Sequence, residues 1–361
     1  MNIDEKIAIV KEVGEEFIGE EELRELFNEQ EKTGRDIIAY DGFEPSGQMH
    51  IAQGLLKAAN VNRLASVGIT YTMFVADWHG KINNKMGGDI DKIREVGKYF
   101  IEIWKSVGMN LDKVNFVWSS DLVKNPDYWG TLLQLSTNAT VSRVLKCGQI
   151  MGREDNVSNP ASQILYPLMQ ATDIIYLKAD IAQLGLDQRK VNMLARDIFP
   201  KMGFRKPVCL HHHMLLSLSK IETDLEGIDR KIAMKMSKSK PDTAIFMTDS
   251  SEDILRKFKK AHSVDGQVEN NPVLDYVQHI IFPLKKCIKI ERPEKYGGNV
   301  TYTSYEKLED DFKSLNLKSL DLKNATAREI DSMLEPVRKH FSQDKYAKSL
   351  LEKIQSYNVT R

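Results

Sequence analysis

Short apolar runs alternate with longer amphipathic segments over the first two thirds of the chain. The apolar runs that predict buried strands cover residues 36–43, 69–79, 114–120, 179–185 and 206–216. The segments with helical spacing of apolar positions cover residues 50–67, 91–107, 161–176 and 187–202. This alternation predicts an α/β fold built on a doubly wound, Rossmann-like parallel sheet. In such sheets, ligands bind beyond the C-terminal ends of the strands.

The alternation of strands and helices stops after residue 240. Residues 251–285 and 326–357 instead have the spacing of amphipathic helices with faces rich in Lys and Arg. We therefore expect a second domain that is mainly α-helical. The predicted units are an N-terminal helical extension (1–35), a Rossmann-like domain (36–234), a connecting loop (235–240) and a helical domain (241–361).

Length and composition fit a two-domain cytosolic enzyme. The chain has 361 residues, 42% of them hydrophobic, which is enough for two cores. Cys147, Cys209 and Cys287 lie far apart without a CxxC pair, which indicates reduced thiols and neither a disulfide framework nor structural zinc. The acidic N-terminus is unlike a signal or transit peptide. No apolar run is long enough for a membrane span.

The overall charge does not indicate a nucleic-acid partner, because 51 basic side chains balance 51 acidic ones. Residues 231–361 carry 24 basic and 19 acidic side chains, a net charge of +5, which leaves −5 for residues 1–230. A polyanion needs a local basic surface and not a basic average, so neutrality does not exclude RNA binding.

A glycine-rich turn lies where the first predicted strand gives way to the first predicted helix. It reads GFEPSGQMHIAQG, from Gly42 to Gly54. Glycines let the backbone approach a ligand closely, and a helix N-terminus offers unpaired N–H groups to phosphate. The turn is also compatible with a capped helix on which His50 merely packs. It matches neither GxxxxGK[ST] nor GxGxxG, which disfavours a P-loop hydrolase or a dehydrogenase.

A second candidate segment, KMSKSK, occupies residues 235–240. Lysine is a flexible point charge that binds phosphate, so a mobile loop of this composition can close over a polyphosphate. Judged by charge alone, the segment equally fits an exposed basic surface loop.

Three polar residues share one face of the helix predicted over 161–176. Tyr166, Gln170 and Asp173 are four and three residues apart, and the rest of that face is apolar. Because buried polar groups need partners, they predict a cavity that holds a polar ligand; a polar network between helices is the alternative. Asp77 and His79, at the end of the second predicted strand, are expected to line the same cavity, although His79 also fits a core histidine.

A fourth candidate lies in the helical domain, in the strings PEKYGGN and SLDLKN. Tyr296 stands beside two glycines, a suitable platform for stacking an unpaired base, and Asp321 offers a carboxylate to the donors of guanine. Ordinary turn packing explains the same residues. Two other features are discounted. Consecutive strand residues such as His211–His213 point to opposite faces and do not readily share a metal ion, and the acidic run 309–311 fits a solvated helix face.

The first two segments together resemble the paired signatures of class I aminoacyl-tRNA synthetases. HIAQ at residues 50–53 stands where the family has HIGH, and KMSKS at 235–239 is a full match in the right order. Ala52 and Gln53 replace the family's glycine and second histidine, as happens in its tyrosyl and tryptophanyl branch. The string ILYPLMQATDIIYL is similar to that of tyrosyl-tRNA synthetases of the archaeal and eukaryotic type.

This resemblance implies roles for individual residues. The implied catalytic residues are His50, Lys235 and Lys238. The implied ATP-binding residues are Gly42, Glu44, Pro45, Ser46, Gly47, His50, Gln53, Met236, Ser237 and Ser239. The implied tyrosine-binding residues are Tyr40, Ala76, His79, Tyr166, Gln170, Asp173 and Gln188. Tyr296 and Asp321 are implied to meet the first anticodon base.

The same resemblance implies that residues 36–234 are catalytic and that residues 241–361 bind the anticodon. The expected substrates are L-tyrosine, tRNA(Tyr) and ATP with Mg²⁺, without an organic cofactor, a protein-bound metal or structural zinc. A cytoplasmic homodimer that does not bind membranes is expected, with its interface around residues 125–150.

Three rival interpretations stay open at this point. A tryptophanyl-tRNA synthetase shares the fold and the signatures but has no use for Asp173 and Tyr40 as a pair that reads a phenol. An RNA-binding module without catalysis would not need His50 or the lysines. A nucleotidyltransferase acting on a small metabolite would lack the second domain.

Overall fold

The computed structural model describes residues 1–148, 160–220, 223–234 and 241–357, except for the side chains of residues 228 and 231. A six-stranded sheet lies at its centre, in the order β1-β6-β5-β2-β3-β4. The strands are β1 Glu16–Ile18, β2 Ile37–Phe43, β3 Ile69–Val75, β4 Val114–Trp118, β5 Ile181–Gly185 and β6 Val208–His212. All neighbours are parallel except β1, which runs antiparallel to β6. The predicted α/β fold with a parallel sheet is confirmed.

Helices cover both faces of this sheet and form most of the C-terminal region. Those before the lysine segment are α1 Ile3–Lys11, α2 Glu20–Thr33, α3 Lys57–Ala65, α4 Asp77–Ile82, α5 Ile90–Ser106, α6 Ser119–Leu122, α7 Pro126–Ser136, α8 Val141–Gly148, α9 Ser162–Tyr176, α10 Arg189–Ile198 and α11 Gly227–Met234. Those after it are α12 Ser251–Lys260, α13 Pro272–Tyr276, α14 Phe282–Lys285, α15 Tyr305–Lys313, α16 Ser319–Gln343 and α17 Lys345–Ser356.

Side-chain alternation divides the sheet between two hydrophobic cores, as a doubly wound fold requires. On β2, Ala39 belongs to the core under α3 and α5, whereas the next residue, Tyr40, belongs to the core under α7, α9 and α10. The first core continues without interruption from Ile7 in α1 to Ile354 in α17. The C-terminal helices therefore pack directly on the sheet domain.

The N-terminal extension contains a strand as well as the expected helices. Strand β1 pairs with β6 from Glu16 opposite His211 to Ile18 opposite Cys209. Three residues are too few for a period-two pattern to stand out, which is why the sequence did not predict this strand. Residues 16–18 thus form an edge strand of the central sheet.

The long helices predicted in the C-terminal region are interrupted. Residues 251–285 form α12, a non-helical stretch, and then α13, a π-helical turn at Val277–Ile281 and α14. Asn271 restarts the helix, because its side chain accepts from the backbone of Val273 at 3.1 Å and Pro272 occupies the first turn. Asp344 likewise caps α17, so α16 and α17 are separate helices.

A small antiparallel sheet also occurs in this region, formed by β7 Ile288–Ile290 and β8 Val300–Tyr302. Strand β7 precedes and β8 follows the PEKYGGN string, so the string forms the connection of this hairpin. Among the described residues, no helix combines the length and the apolarity that a membrane crossing demands.

Candidate active site

A cavity of about 470 Å³ opens at the C-terminal ends of β2, β5 and β6. This is where a parallel sheet offers a crevice to ligands. The predicted site residues that line it are Tyr40, Gly42, Glu44, Ser46, His50, Gln53, Ala76, His79, Tyr166, Gln170, Asp173 and Gln188. Pro45 and Gly47 belong to the same turn but do not line the cavity. Lys235, Met236, Ser237, Lys238 and Ser239 lie outside the described residues.

Tyr40 and Asp173 form the polar floor at one end of the cavity. Both are 1% exposed, and the hydroxyl of Tyr40 finds no hydrogen-bond partner among the described residues. Burial raises the pKa of Tyr40 well above its ordinary value, and the charge of Asp173 acts in the same direction. Leaving a buried hydroxyl unpaired costs about 1–3 kcal/mol, so its position in a cavity wall indicates that a ligand supplies the partner.

Two other side chains lie against the carboxylate of Asp173. Tyr128 of α7 donates to Oδ1 at 2.8 Å, and Nε2 of His79 lies 3.1 Å from Oδ2. Burial by itself would lower the pKa of His79, but the charge and hydrogen bonding of Asp173, together with the charges of Glu44 and Asp77, raise that pKa. Tyr128 is fully buried and was missed by the sequence analysis, since nothing in DYWGTLL marks it as part of a site.

Tyr166 and Gln170, the other two predicted polar residues of α9, pair with residues on other elements across the cavity. Gln170 donates from Nε2 to Oε1 of Gln188 at 3.1 Å, and the hydroxyl of Tyr166 donates to Oε1 of Glu44. These bonds bring the polar face of α9 together with the glycine-rich turn and with the residues after β5. The predicted spacing on one helical face is thus what assembles this wall.

Glu44 has further partners on the far side of the turn. Asn83 donates from Nδ2 to Oε2 at 3.0 Å, and Nζ of Lys85 lies 3.6 Å from the same oxygen. Neither Asn83 nor Lys85 was singled out in the sequence, although both line the cavity. Glu44 therefore links the predicted nucleotide-binding turn to Tyr166 and to the loop after α4.

The glycine-rich turn is bonded to the residues that follow segment 235–240. Ile51 donates its backbone N–H to Ile245 at 2.8 Å, and Met247 donates to Met49 at 2.9 Å. The helix then begins with a π-helical turn at Ala52–Leu56, a form that is frequent at functional sites. The turn carrying His50 and the residues after segment 235–240 are therefore bonded to each other.

The described residues that flank the lysine segment are also anchored beside the cavity. Ser217 donates its backbone N–H to Met234 and Leu218 donates to Thr243, both at 2.9 Å. Leu215, two residues before Ser217, lines the cavity itself. The described residues on both sides of segment 235–240 thus lie next to the cavity.

A buried ion pair, whose member Asp41 lines the cavity, was not predicted. Nζ of Lys57 is 2.5 Å from Oδ2 of Asp41, and both side chains are almost fully buried. Burial raises the pKa of Asp41 to about 6, against the opposing charge of Lys57, and burial lowers the pKa of Lys57. The sequence signal for this buried pair was Lys57, a charged residue in the otherwise apolar string GLLKAAN.

The expectation that Asp77 lines the cavity is wrong. Strand β3 ends at Val75, so Asp77 and His79 lie on α4 and not on the strand. The carboxylate of Asp77 accepts from Ser119 Oγ at 2.7 Å and from the backbone of Ser120 at 3.0 Å, away from the cavity. Asp77 therefore ties α4 to the end of β4, and His79 alone of the two reaches the site.

The three consecutive histidines point to different partners, as expected. His211 lies against Asn192 and Glu16, His212 against Gln183, and His213 between Glu15 and Asp275. Among the described residues, His213, Asp275 and His279 have metal-binding atoms within 4.8 Å of one another. The two imidazole rings are stacked, however, with 3.8 Å between centroids and 14° between planes. An ion bound by both would have to lie in both ring planes, which this stacking prevents.

Tyr296 and Asp321 lie in neighbouring segments of the C-terminal region. The ring of Tyr296 is 62% exposed and is followed by Gly297 and Gly298, both with positive φ. Arg292 donates to the carbonyl of Gly298 at 2.8 Å and to that of Asn316 at 2.7 Å. It thereby holds the Tyr296 turn beside the loop that leads into α16, where Asp321 occupies the first turn.

Comparison with known proteins identifies what this arrangement resembles. Residues 31–335 match the family model for class I tRNA synthetases (W and Y). The chain is 45% identical to the cytoplasmic tyrosine–tRNA ligase 1 of Arabidopsis thaliana over 99% of its own length and 90% of that protein. It superposes on the tyrosyl-tRNA synthetase of Pyrococcus horikoshii complexed with L-tyrosine with a TM-score of 0.90, at 38% identity, covering 98% of this chain and all of the other.

Two further solved structures are similar to this chain. The Leishmania major tyrosyl-tRNA synthetase in complex with tyrosinol is 43% identical with a TM-score of 0.87, and the match covers 99% of this chain but 61% of that longer one. A tryptophanyl-tRNA synthetase from Aeropyrum pernix matches 94% of this chain and 86% of its own at 17% identity, with a TM-score of 0.65, which is a likeness of fold alone. The chain therefore belongs to the family of class I tRNA synthetases for tryptophan and tyrosine.

Proposed function

We propose that the chain is a tyrosine–tRNA ligase, which activates L-tyrosine with ATP and transfers it to the 3′ end of tRNA(Tyr). The observation that carries the proposal is the buried hydroxyl of Tyr40 beside Asp173 in the cavity wall, which has no hydrogen-bond partner in the described part of the chain. A substrate phenol donates to the carboxylate and accepts from the Tyr40 hydroxyl. Phenylalanine would leave the Tyr40 hydroxyl without a partner and would bring no donor to the Asp173 carboxylate, which penalises its binding.

The part of the pocket around the N-terminal half of α9 suits the amino-acid backbone of the substrate. Tyr166, Gln170 and Gln188 present hydroxyl and amide oxygens, and Glu44 adds a carboxylate. Oxygen acceptors of this kind bind an ammonium group. We assign these residues to the α-amino group of tyrosine, while Ala76 and His79 pack around its ring.

Activation is an in-line attack of the tyrosine carboxylate on the α-phosphorus of ATP, which releases pyrophosphate and leaves tyrosyl-adenylate. ATP enters as its Mg²⁺ complex. The helix start after Gly47, with His50 and Gln53, is assigned to one side of the phosphates, and Lys235 and Lys238 to the other. Catalysis is charge stabilisation and needs no side-chain nucleophile. The terminal hydroxyl of the tRNA then attacks the mixed anhydride.

The C-terminal region is assigned to the tRNA. The exposed ring of Tyr296, which two glycines follow, can stack on an unpaired base. Asp321 lies just after the loop to which Arg292 bonds at Asn316. We propose that residues 241–361 bind the anticodon and that residues 36–234 carry the catalysis. The name of the Arabidopsis relative supports a cytoplasmic location.

A second copy of the chain is proposed to cover an apolar face on α7, α8 and α9. Large hydrophobic side chains are exposed there at Trp129, Leu133, Val141, Leu145, Ile164 and Leu165. Exposed apolar residues grouped in this way on neighbouring helices are typical of protein interfaces. This face agrees with the predicted interface region, residues 125–150.

ATP–pyrophosphate exchange with a panel of amino acids tests the proposed function. We expect exchange with tyrosine, at least 100-fold weaker exchange with phenylalanine, and none with tryptophan. Exchange with tryptophan in place of tyrosine would indicate the sister enzyme. No exchange with any amino acid would indicate an RNA-binding module. Replacing Lys238 with alanine should slow adenylate formation far more than it weakens tyrosine binding.

A further inference from the structure

A chain of hydrogen bonds runs from the buried ion pair to a histidine in the cavity wall. Lys57 donates from Nζ to Oε1 of Gln183 at 2.5 Å, and Nε2 of Gln183 lies 2.9 Å from Nδ1 of His212. Both Lys57 and Gln183 are buried, whereas His212 is half-buried and lines the cavity. The proposed reaction uses none of these three residues.

The neighbours of Gln183 fix the orientation of its amide. Lys57 and Tyr71 both donate to the same amide oxygen, at 2.5 and 2.7 Å. Lysine has donors and no acceptor, so the reverse orientation would turn an NH₂ group towards an ammonium group. The amide oxygen therefore faces Lys57, and the NH₂ group faces His212.

The amide in turn fixes the tautomer of His212. An amide NH₂ group donates and does not accept, so Nδ1 of His212 must be the unprotonated acceptor. The ring proton of the neutral imidazole then resides on Nε2. This atom has no protein partner among the described residues, and the ring borders the cavity. His212 thus offers one neutral N–H group to whatever binds there.

The position of His212 indicates which part of the substrates it meets. Asp41, Tyr71 and Gln183 lie on the face of the sheet that packs against α3, whereas Tyr40 packs towards α9 and the tyrosine-binding end. The helix start assigned to the phosphates is on this α3 side. Met214 and Leu215 supply apolar wall next to His212, as a purine requires.

We propose that Nε2–H of His212 is a specificity-determining hydrogen-bond donor to an acceptor on the nucleoside part of ATP, and that Lys57 and Gln183 are positioning residues that fix its tautomer. The proposal rests on the proposed function and extends it to one contact. His212 binds as a neutral group and takes no part in proton transfer.

The electrostatic surroundings of His212 keep the ring neutral. Burial lowers the pKa of His212 well below its ordinary value, and the charge of Lys57 and the neighbouring His211 and His213 act in the same direction. A protonated ring would also turn an N–H group at Nδ1 against the NH₂ group of Gln183. The donor at Nε2 is therefore available throughout the neutral pH range.

Nitrogen-15 NMR of the histidine rings tests the tautomer without any assay of activity. The signals of His212 are assigned by their loss in His212→Asn. We expect a protonated Nε2 and an unprotonated Nδ1 that do not titrate between pH 6 and 8. A proton on Nδ1, or an imidazolium at pH 7, would overturn the proposed chain.

Pyrophosphate exchange with a matched pair of variants tests the contact. In His212→Asn, the amide oxygen can accept from Gln183 and the NH₂ group can still donate to the cavity. In His212→Leu, a side chain of similar size, both functions are lost. We expect the KM for ATP to rise about 3- to 10-fold in His212→Leu and to stay within about twofold in His212→Asn, with the KM for tyrosine unchanged in both.

Equal KM values for ATP in His212→Leu and the wild type would overturn the proposal, as would an equal rise in the KM for tyrosine. Thermal unfolding of both variants shows whether either effect is a loss of folded protein. The proposed function has its own readout, the tyrosine-dependent exchange of the wild type. A failure of the His212 contact is therefore distinguishable from a failure of the function.

Discussion

The hydroxyl of Tyr128 donates to Oδ1 of Asp173 at 2.8 Å, and this bond joins helix α7 to the floor of the substrate pocket. With His79 near Oδ2, it leaves the carboxylate little freedom to rotate. Burial raises the pKa of Tyr128 far above its ordinary value, and the charge of Asp173 adds to the effect. Tyr128 therefore stays a donor, and Asp173 stays the acceptor for a substrate phenol.

Replacing Tyr128 with phenylalanine should weaken tyrosine recognition. The change removes one donor to a buried carboxylate and leaves the ring in place, a loss of about 1–3 kcal/mol. We expect the KM for tyrosine in pyrophosphate exchange to rise roughly 5- to 100-fold, while the KM for ATP stays within twofold.

Tyr176→Phe is the matched control for this prediction. Tyr176 packs against the Tyr128 ring at 5.2 Å, and its hydroxyl bonds to Thr131 and not to Asp173. Its kinetics should match the wild type. Equal effects of the two variants would mean that packing between α7 and α9, and not the bond to Asp173, sets tyrosine binding.

Replacing Tyr296 with alanine should affect the tRNA step alone. Loss of a stacked base costs about 1–3 kcal/mol, so the KM for tRNA(Tyr) in aminoacylation is expected to rise roughly 5- to 100-fold. Pyrophosphate exchange should be unchanged, because Tyr296 lies outside the cavity. Tyr346→Ala, an exposed tyrosine of α17, is the control. An unchanged KM for tRNA would remove Tyr296 from the anticodon site.

A charge placed on the apolar face of α7 should dissociate the proposed dimer. Leu133 is 63% exposed there, and Leu133→Asp would bury an unpaired carboxylate in the interface. Sedimentation is expected to give twice the mass of one chain for the wild type and a single chain for the variant. Leu255→Asp, on exposed α12 surface, should leave the mass unchanged. A wild type that sediments as a monomer would contradict the dimer.

His213 joins the N-terminal extension to the C-terminal helices by bridging Glu15 and Asp275, at 3.1 and 2.7 Å. Burial by itself would lower the pKa of His213, but its bonds with Asp275 and Glu15 outweigh it and raise the pKa to about 9. Unfolded histidine titrates near pH 6.5. The bridge thus contributes fully below about pH 6.5 and is lost as the pH rises through about 9.

Urea unfolding between pH 6.5 and 9.5 measures this contribution. Relative to His213→Gln, the free energy of unfolding of the wild type should fall by at most about 3 kcal/mol over this range. Parallel curves for the two proteins, or a difference that grows with pH, would show that His213 is not a charged bridge.

The sequence predicted the parts of the site that local patterns encode. The spacing of Tyr166, Gln170 and Asp173 placed them on one helical face, and the glycine-rich turn marked the end of the first strand. The central sheet followed from apolar runs long enough to be recognised. These features need no knowledge of how distant segments meet.

Long-range partners were not predictable in the same way. Tyr128 lies 45 residues from Asp173, and Lys57 lies 126 residues from Gln183. Nothing within either local string specifies the other member of the pair. Strand β1 is too short to show a period, and its place beside β6 depends on packing of the N-terminal helices. Asn271 and Asp344 are capping residues at which helices begin. The apolar positions on either side keep helical spacing, so the breaks did not stand out in the sequence.

A crystal structure of the chain with bound L-tyrosine tests the central assignment most directly. The phenolic oxygen should lie within hydrogen-bonding distance, about 2.6–3.2 Å, of both the Tyr40 hydroxyl and a carboxylate oxygen of Asp173. A bound tyrosine whose ring lies elsewhere in the cavity, with Tyr40 and Asp173 contacting each other or water, would contradict it.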